Sequence, residues 1–279
     1  MIKVNLYNDC NGEKPGNIEL KVWDKNAGQL IRTLPLVLPA PMETTPTCGE
    51  MVTRCQDSNS SFPYGIEQYS FGQLLVFNDS ISCCEILLTL EECCRSQNID
   101  NGGAGTVFYT EAMLNRCLMP GDNSPSFSNP PVVITLKDMA FGYCGGMSDS
   151  DVGNDGGILD SFAHELASPE TPQGPIAFNS PYGYKRPIHF LGFPDVDLDL
   201  PSGFHVDSLV NWMEFTPTKM EDCIFRVKTS EYRKGVLIGY LYRDFFIGVY
   251  GVDSNKNPVI ISDSFYKSTM PGREVTFTV

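Results

Sequence analysis

The stretch IKVNLYNDCNGEKPGNIELKVW, residues 2–23, sets the fold class. Ile2, Val4 and Leu6 alternate with polar neighbours, and Ile18, Leu20 and Val22 do the same. Period two is the mark of a strand with one buried face. Asn11-Gly12 and Pro15-Gly16 stand between the two runs, and both dipeptides turn a chain. Outward from here, strand-like runs recur at 69–77, 85–90 and 107–112, then at 132–134, 140–143, 158–166, 188–191, 204–206, 213–215 and 223–227. Runs at 236–242 and 245–252 close the set, with Arg243-Asp244 between them. The 20 prolines, 25 glycines and 17 phenylalanines suit many short strands joined by turns. The expectation is an all-β chain of tandem β-sandwich domains.

DNSPSFSNPP, residues 122–131, has the composition of a stiff linker. It divides the chain into a cysteine-rich sandwich-like domain over 1–124 and a second sandwich over 125–254. Aligning Asn129 with Asn257 gives a weak internal repeat of 128 residues. Residues 255–279 then read as a linker and the first strands of a following, incomplete domain. A lone strand has an unpaired edge, so the chain is expected to belong to a longer tandem array. Its first partners are neighbouring domains of the same long polypeptide.

A net charge of −14 argues against a nucleic-acid partner, which needs clustered Lys and Arg. No run of 18 apolar residues is present to span a membrane. The opening residues lack the apolar core of a signal peptide, as in a mature or excerpted chain or one that never had such a peptide. Ten cysteines form an even set of disulfide candidates. Cys10, Cys48, Cys55, Cys83, Cys84, Cys93, Cys94 and Cys117 precede the linker, and Cys144 and Cys223 follow it. Each group can close within its own domain. Cys48 with Cys55 is one expected staple, and bridges between the doublets Cys83-Cys84 and Cys93-Cys94 are another. Zinc prefers CxxC knuckles, which these spacings do not supply, and free thiols are the other alternative. Disulfides imply an oxidising, extracellular location.

DSDVGNDGGILDSFAHEL, residues 149–166, gathers Asp149, Asp151, Asp155 and Asp160. Carboxylates this close repel unless a positive charge sits among them. Ca2+, which takes six to eight oxygen ligands, would resolve the repulsion; a solvated acidic loop is the simpler account. The spacing fails as an EF-hand, because Gly153 and Asn154 stand where an acid and then a glycine are required. Catalytic templates fail too. His164-Glu165 is followed by Ser168 where HExxH needs histidine, and neither GxSxG nor GxxxxGK[ST] occurs. Asp195, Asp197 and Asp199 alternate with apolar residues, as on the wet face of a strand. Trp212 lies in a phrase that looks like core. The chain is expected not to be an enzyme.

YNDCNG at 7–12, CCRSQNI at 93–99, YTEAMLN at 109–115, NSPSFSNPP at 123–131, GFHVDSLVNWMEFTPT at 203–218 and SEYRKGVLIGYLYRD at 230–244 occur in that order. Together they resemble a repeat unit of the large secreted surface adhesins of gliding bacteria of the Bacteroidota type, with their PKD- and cadherin-like relatives. The resemblance implies an Ig- or cadherin-like sandwich for the second domain. It adds Glu231, Asp253, Asn255 and Asn257 to the calcium ligands, although Lys256 stands where cadherin linkers carry a second aspartate. It implies O-glycosylation at Ser80 and Ser208, in Asp-Ser-aliphatic triplets. The function it implies is a non-catalytic structural and adhesive segment of an exported cell-surface fibre or gliding-motility adhesin. Partners would be other fibre chains, surface polysaccharide or a substratum. The alternative is a secreted carbohydrate-binding or carbohydrate-processing ectodomain, which an exposed aromatic platform beside a carboxylate pair about 5–10 Å apart would favour.

Overall fold

The computed structural model describes residues 2–47, 51–77, 83–118, 121–151, 159–191 and 204–251. Among them the chain is all-β, and no helix is long and apolar enough to cross a membrane. The first half supplies β1 (Ile2–Asp9), β2 (Ile18–Asp24), β3 (Gln29–Leu36), β4 (Met42–Glu43), β5 (Ile66–Gln73), β6 (Glu85–Glu92) and β7 (Phe108–Asn115). The second supplies β8 (Ser126–Phe127), β9 (Val132–Leu136), β10 (Phe141–Cys144), β11 (Met147–Ser148), β12 (Asp160–Ala167), β13 (Glu170–Thr171), β14 (Gly174–Pro175), β15 (His205–Val206), β16 (Trp212–Phe215), β17 (Glu221–Arg233) and β18 (Val236–Tyr250). The run expected at 188–191 makes only an isolated bridge, Phe190 to Pro217.

One ten-stranded sheet runs β12-β17-β18-β7-β6-β2-β3, with β9, β13 and β14 attached. Its spine is the β17–β18 hairpin. Lys234 and Gly235 close it with φ of 53° and 77°, the two positive values that a two-residue type I′ turn demands. Expected as two strands broken at Arg243-Asp244, β18 is a single strand of 15 residues. The charges do not break it because each has a partner. Asp244 pairs with Arg226 across the ladder, and the Arg243 guanidinium stacks 4.0 Å from the Phe127 ring centroid.

The sheets β1-β5-β4 and β10-β16-β15 pack on this long sheet, giving a sandwich-like arrangement. Paired residues share a face. Leu88 pairs with Ala112, and Ala112 with Leu241. Leu88 lies against the first core, while Phe245, on the same side of β18 as Leu241, lies in the second. Both small sheets therefore cover one face of the long sheet.

A small third core, Ile99 with Ile176 and Ile224, and the long sheet both cross the expected boundary at 124/125, while the two larger cores fall on either side of it. One core draws buried residues from Ile18 to Leu90, the other from Val133 to Val249. Yet β7 of the first half pairs with β18 of the second, through Leu114–Gly239, Met113–Tyr240 and Ala112–Leu241. The long sheet thus runs across the expected boundary between the two sandwiches. The third unit, 255–279, lies outside the described residues.

The other face of the long sheet is also shared. Phe62 and Tyr64, from the first half, pack edge-on against Phe246 and Tyr250, and Tyr64 Oη donates to Asp222 Oδ1 at 2.7 Å. Gly248 makes room for them, since a Cβ there would stand 2.5 Å from the Tyr64 ring. Gly248→Val should therefore cost on the order of 2 kcal/mol by overpacking. Gly183→Ala, where a Cβ meets nothing within 4 Å, should cost almost nothing. Urea titration of both variants checks this; equal midpoints would mean that the aromatic contact is not formed.

Cysteine pairing differs from the expected staples. Cys55 joins Cys10 at the end of β1, and Cys48 lies outside the described residues. Cys84 joins Cys117 across the ends of the β6–β7 hairpin, and Cys93 joins its neighbour Cys94. Hence the doublets do not bridge each other. Cys83, Cys144 and Cys223 are free thiols among the described residues. Strand alternation keeps the last two apart: Cys223 points into the second core, and Cys144 points outward opposite Trp212.

Candidate functional site

An acidic cluster forms where β12, the end of β17 and two loops meet. Asp160 opens β12 and pairs across the ladder with Arg233 of β17. Glu231, two residues before Arg233, falls on the same face. Asp149 and Asp151 follow β11, and Asp122 follows β7 in the segment read as linker. Arg233 Nε donates to Asp160 Oδ1 at 2.5 Å, and its Nη2 reaches Asp122 Oδ1 and Asp151 Oδ2, each at 2.7 Å. Asn123 donates its side-chain amide to Asp151 Oδ1 at 2.7 Å, and the Asp151 N–H donates to Asp149 Oδ1 at 3.0 Å.

The positive charge that the sequence demanded among these carboxylates is therefore a guanidinium. It does not balance them. Asp122, Asp149, Asp151, Asp160 and Glu231 stand around Arg233, the one cation bonded to them among the described residues. Glu231 is 1% exposed, and its Oε1 has no partner; Asp149 Oδ2 has none either. Burial pushes the Glu231 carboxyl up to about 8, helped by Asp122, Asp149, Asp160 and Asp151. Burial likewise raises Asp122 to about 6, against the pull of Arg233, and raises Asp149. Asp151 is half-buried, but hydrogen bonds from Asn123 and Arg233 outweigh the desolvation and hold its carboxyl low. Bonds to Asp160 and Asp151 raise Arg233.

Two ligand groups overlap here. Oxygens of Asp122, Asp160 and Glu231 lie within 4.8 Å of one another, and so do oxygens of Asp149, Asp151 and Asp160. Orphaned buried oxygens beside shared carboxylates are the donor set that a hard cation takes.

The chain matches no model of a known protein family and no curated protein. Its site thus stands on its own residues. The structure brings together Asp149, Asp151, Asp160 and Glu231. Asp155, Asp253, Asn255 and Asn257 lie outside the described residues, as do Ser80 and the Asp195–Asp199 stretch. Ser208 sits exposed at the turn before β16. Sequence reasoning missed Asp122 and Arg233. Arg233 was legible in principle, because it follows Glu231 by two on one strand. Asp122 gave no signal beyond its charge. Trp212, expected in the core, is 42% exposed.

Proposed function

We propose that this chain is a non-catalytic structural and adhesive segment of a long exported cell-surface protein, stiffened by disulfides and by a calcium ion. The observation that carries this is the continuity of one sheet through both halves, with Cys84–Cys117 tying its β6–β7 hairpin and Cys10–Cys55 tying the end of β1 in the small sheet beside it. A pull on such a sheet has to break many ladder bonds together. The adhesin resemblance supports the cell-surface location, and paired cysteines suit an oxidising compartment.

Calcium would be held by Asp149, Asp151, Asp160 and Glu231, with Asp122 completing the set. The partnerless oxygens of Glu231 and Asp149 support this assignment. Binding to the folded state raises the melting temperature by mass action. Thermal melting after chelation, then with excess calcium, should show a rise of several degrees. Asp149→Asn, which removes charge from a partly unpaired carboxylate, should shrink that rise. Identical melting curves in chelator and calcium would remove the ion from the proposal and leave Arg233 as the sole counter-charge. A thiol count under denaturing conditions tests the oxidised state separately.

A further inference from the structure

Trp212 projects from the outer face of the β10-β16-β15 sheet, away from the second core. Its neighbour Met213 points inward and is fully buried. The indole lies across Gly142 of the adjacent strand: a Cβ on Gly142 would stand 2.5 Å from Trp212 Cζ2 and 2.8 Å from its Cη2. One side of the ring thus rests on bare backbone, and the residue stays 42% exposed. Glu214 pairs directly with Gly142, and His205 pairs directly with Glu214. All three positions share the face that carries the ring. Ring, carboxylate and imidazole therefore sit in a row, one strand spacing apart. That is an aromatic platform with hydrogen-bonding groups along its side.

We propose that this row binds a neutral pyranose residue of a polysaccharide. A sugar ring offers an apolar C–H face to stack on the indole and equatorial hydroxyls for Glu214 and His205 to bond. Charge selects within the sugars. The net charge of −14 and Glu214 beside the platform repel uronic or sulfated chains, so the ligand class is neutral. The row is one ring wide, narrower than the central anchor cluster of a protein interface. Leu209 and Val210, exposed on the turn before β16, are where a protein partner would instead add apolar contact. The inference rests on the adhesive reading for its setting and names that reading's ligand; its test depends on neither calcium nor disulfides.

Trp23 and Trp212 are the only tryptophans, so Trp23→Phe leaves Trp212 as the sole indole reporter. The probes are cellotriose, laminaritriose and triacetylchitotriose, with trigalacturonate as the anionic control. At least one neutral trisaccharide should shift Trp212 emission saturably at millimolar concentration. Calorimetry on the otherwise unaltered chain should find the same ligand. Trp212→Ala should weaken it about tenfold or more, the loss expected for a central aromatic anchor. Gly142→Ala, which lifts the ring off its floor, should weaken it without touching the sugar. The double variant Leu209→Ser/Val210→Ser should bind as before. No saturable shift with any neutral probe, unchanged binding by Trp212→Ala, tighter binding of the galacturonate, or loss in the double variant would each overturn the proposal. An unchanged melting temperature in calcium would leave it standing.

Discussion

In calcium-free buffer at about pH 9, Glu231→Gln should melt well above the parent chain, and at about pH 4 the two should melt together. Glu231 is buried among four other carboxylates, and its carboxyl is lifted from 4.5 to about 8. Below 4.5 the group is protonated both folded and unfolded, so it adds no pH dependence. Between 4.5 and about 8 the folded chain keeps a proton that the unfolded chain has released, and stability falls as pH rises. Above that the buried carboxylate is ionised, and its full penalty remains. At about 1.4 kcal/mol for each pH unit, the penalty is roughly 5 kcal/mol as an upper bound. Glutamine keeps the shape and removes the titration. Asp122, raised to about 6, contributes a smaller slope of the same sign. Excess calcium should reverse the order, because the parent chain then gains more than the variant. Urea unfolding across the pH range, with and without calcium, measures both effects. If Glu231→Gln is the less stable protein at pH 9 in chelator, Glu231 has a cationic partner and the account of the cluster is wrong.

The fold class was legible because alternation records which face of a strand is buried. Ile18, Leu20 and Val22 are among the least exposed residues of the first core. What alternation cannot record is which strand lies at an edge. Nothing in FYTEAMLN marks β7 as the partner of β18, so the sheet that joins the two halves was invisible. The same gap explains β18. Arg243-Asp244 looks like a break until Arg226 and Phe127 are beside it, and both come from distant positions. The acidic cluster was legible in part because Asp149, Asp151 and Asp160 are close in sequence. Arg233 joins them only through its pairing with Asp160 across the β12–β17 ladder. Trp212 was misread because a hydrophobic phrase does not say which of its alternate residues points out.

Asp244→Ala should be the most damaging single change, costing about 3–5 kcal/mol or preventing folding, as removal of one partner from a buried ion network does. Two guanidiniums share this carboxylate. Arg95 Nη2 lies 2.8 Å from Asp244 Oδ2, and Arg226 Nε bonds Asp244 Oδ1. The Arg226 side chain is 0% exposed and that of Arg95 5%. Arg226 also donates to the Tyr109 carbonyl, and Arg95 to the carbonyls of Val107 and Glu170. Glu170, 3.4 Å from Arg226 Nη1, is one-third exposed and cannot offset both cations alone. Arg95 comes from the first half, while Arg226 and Asp244 come from the second, so the loss should loosen the seam between them as well as the local ladder. Lys228→Ala provides the contrast. It removes an ion pair with Glu165, whose side chain is 64% exposed, and should cost less than about 1 kcal/mol. Replacing Arg95, Arg226 and Asp244 together by leucine or methionine should recover much of what Asp244→Ala loses, since an apolar cluster leaves no charge stranded. Denaturant titration orders the variants. If Asp244→Ala costs no more than Lys228→Ala, the two guanidiniums reach water in solution and the seam does not depend on their shared carboxylate.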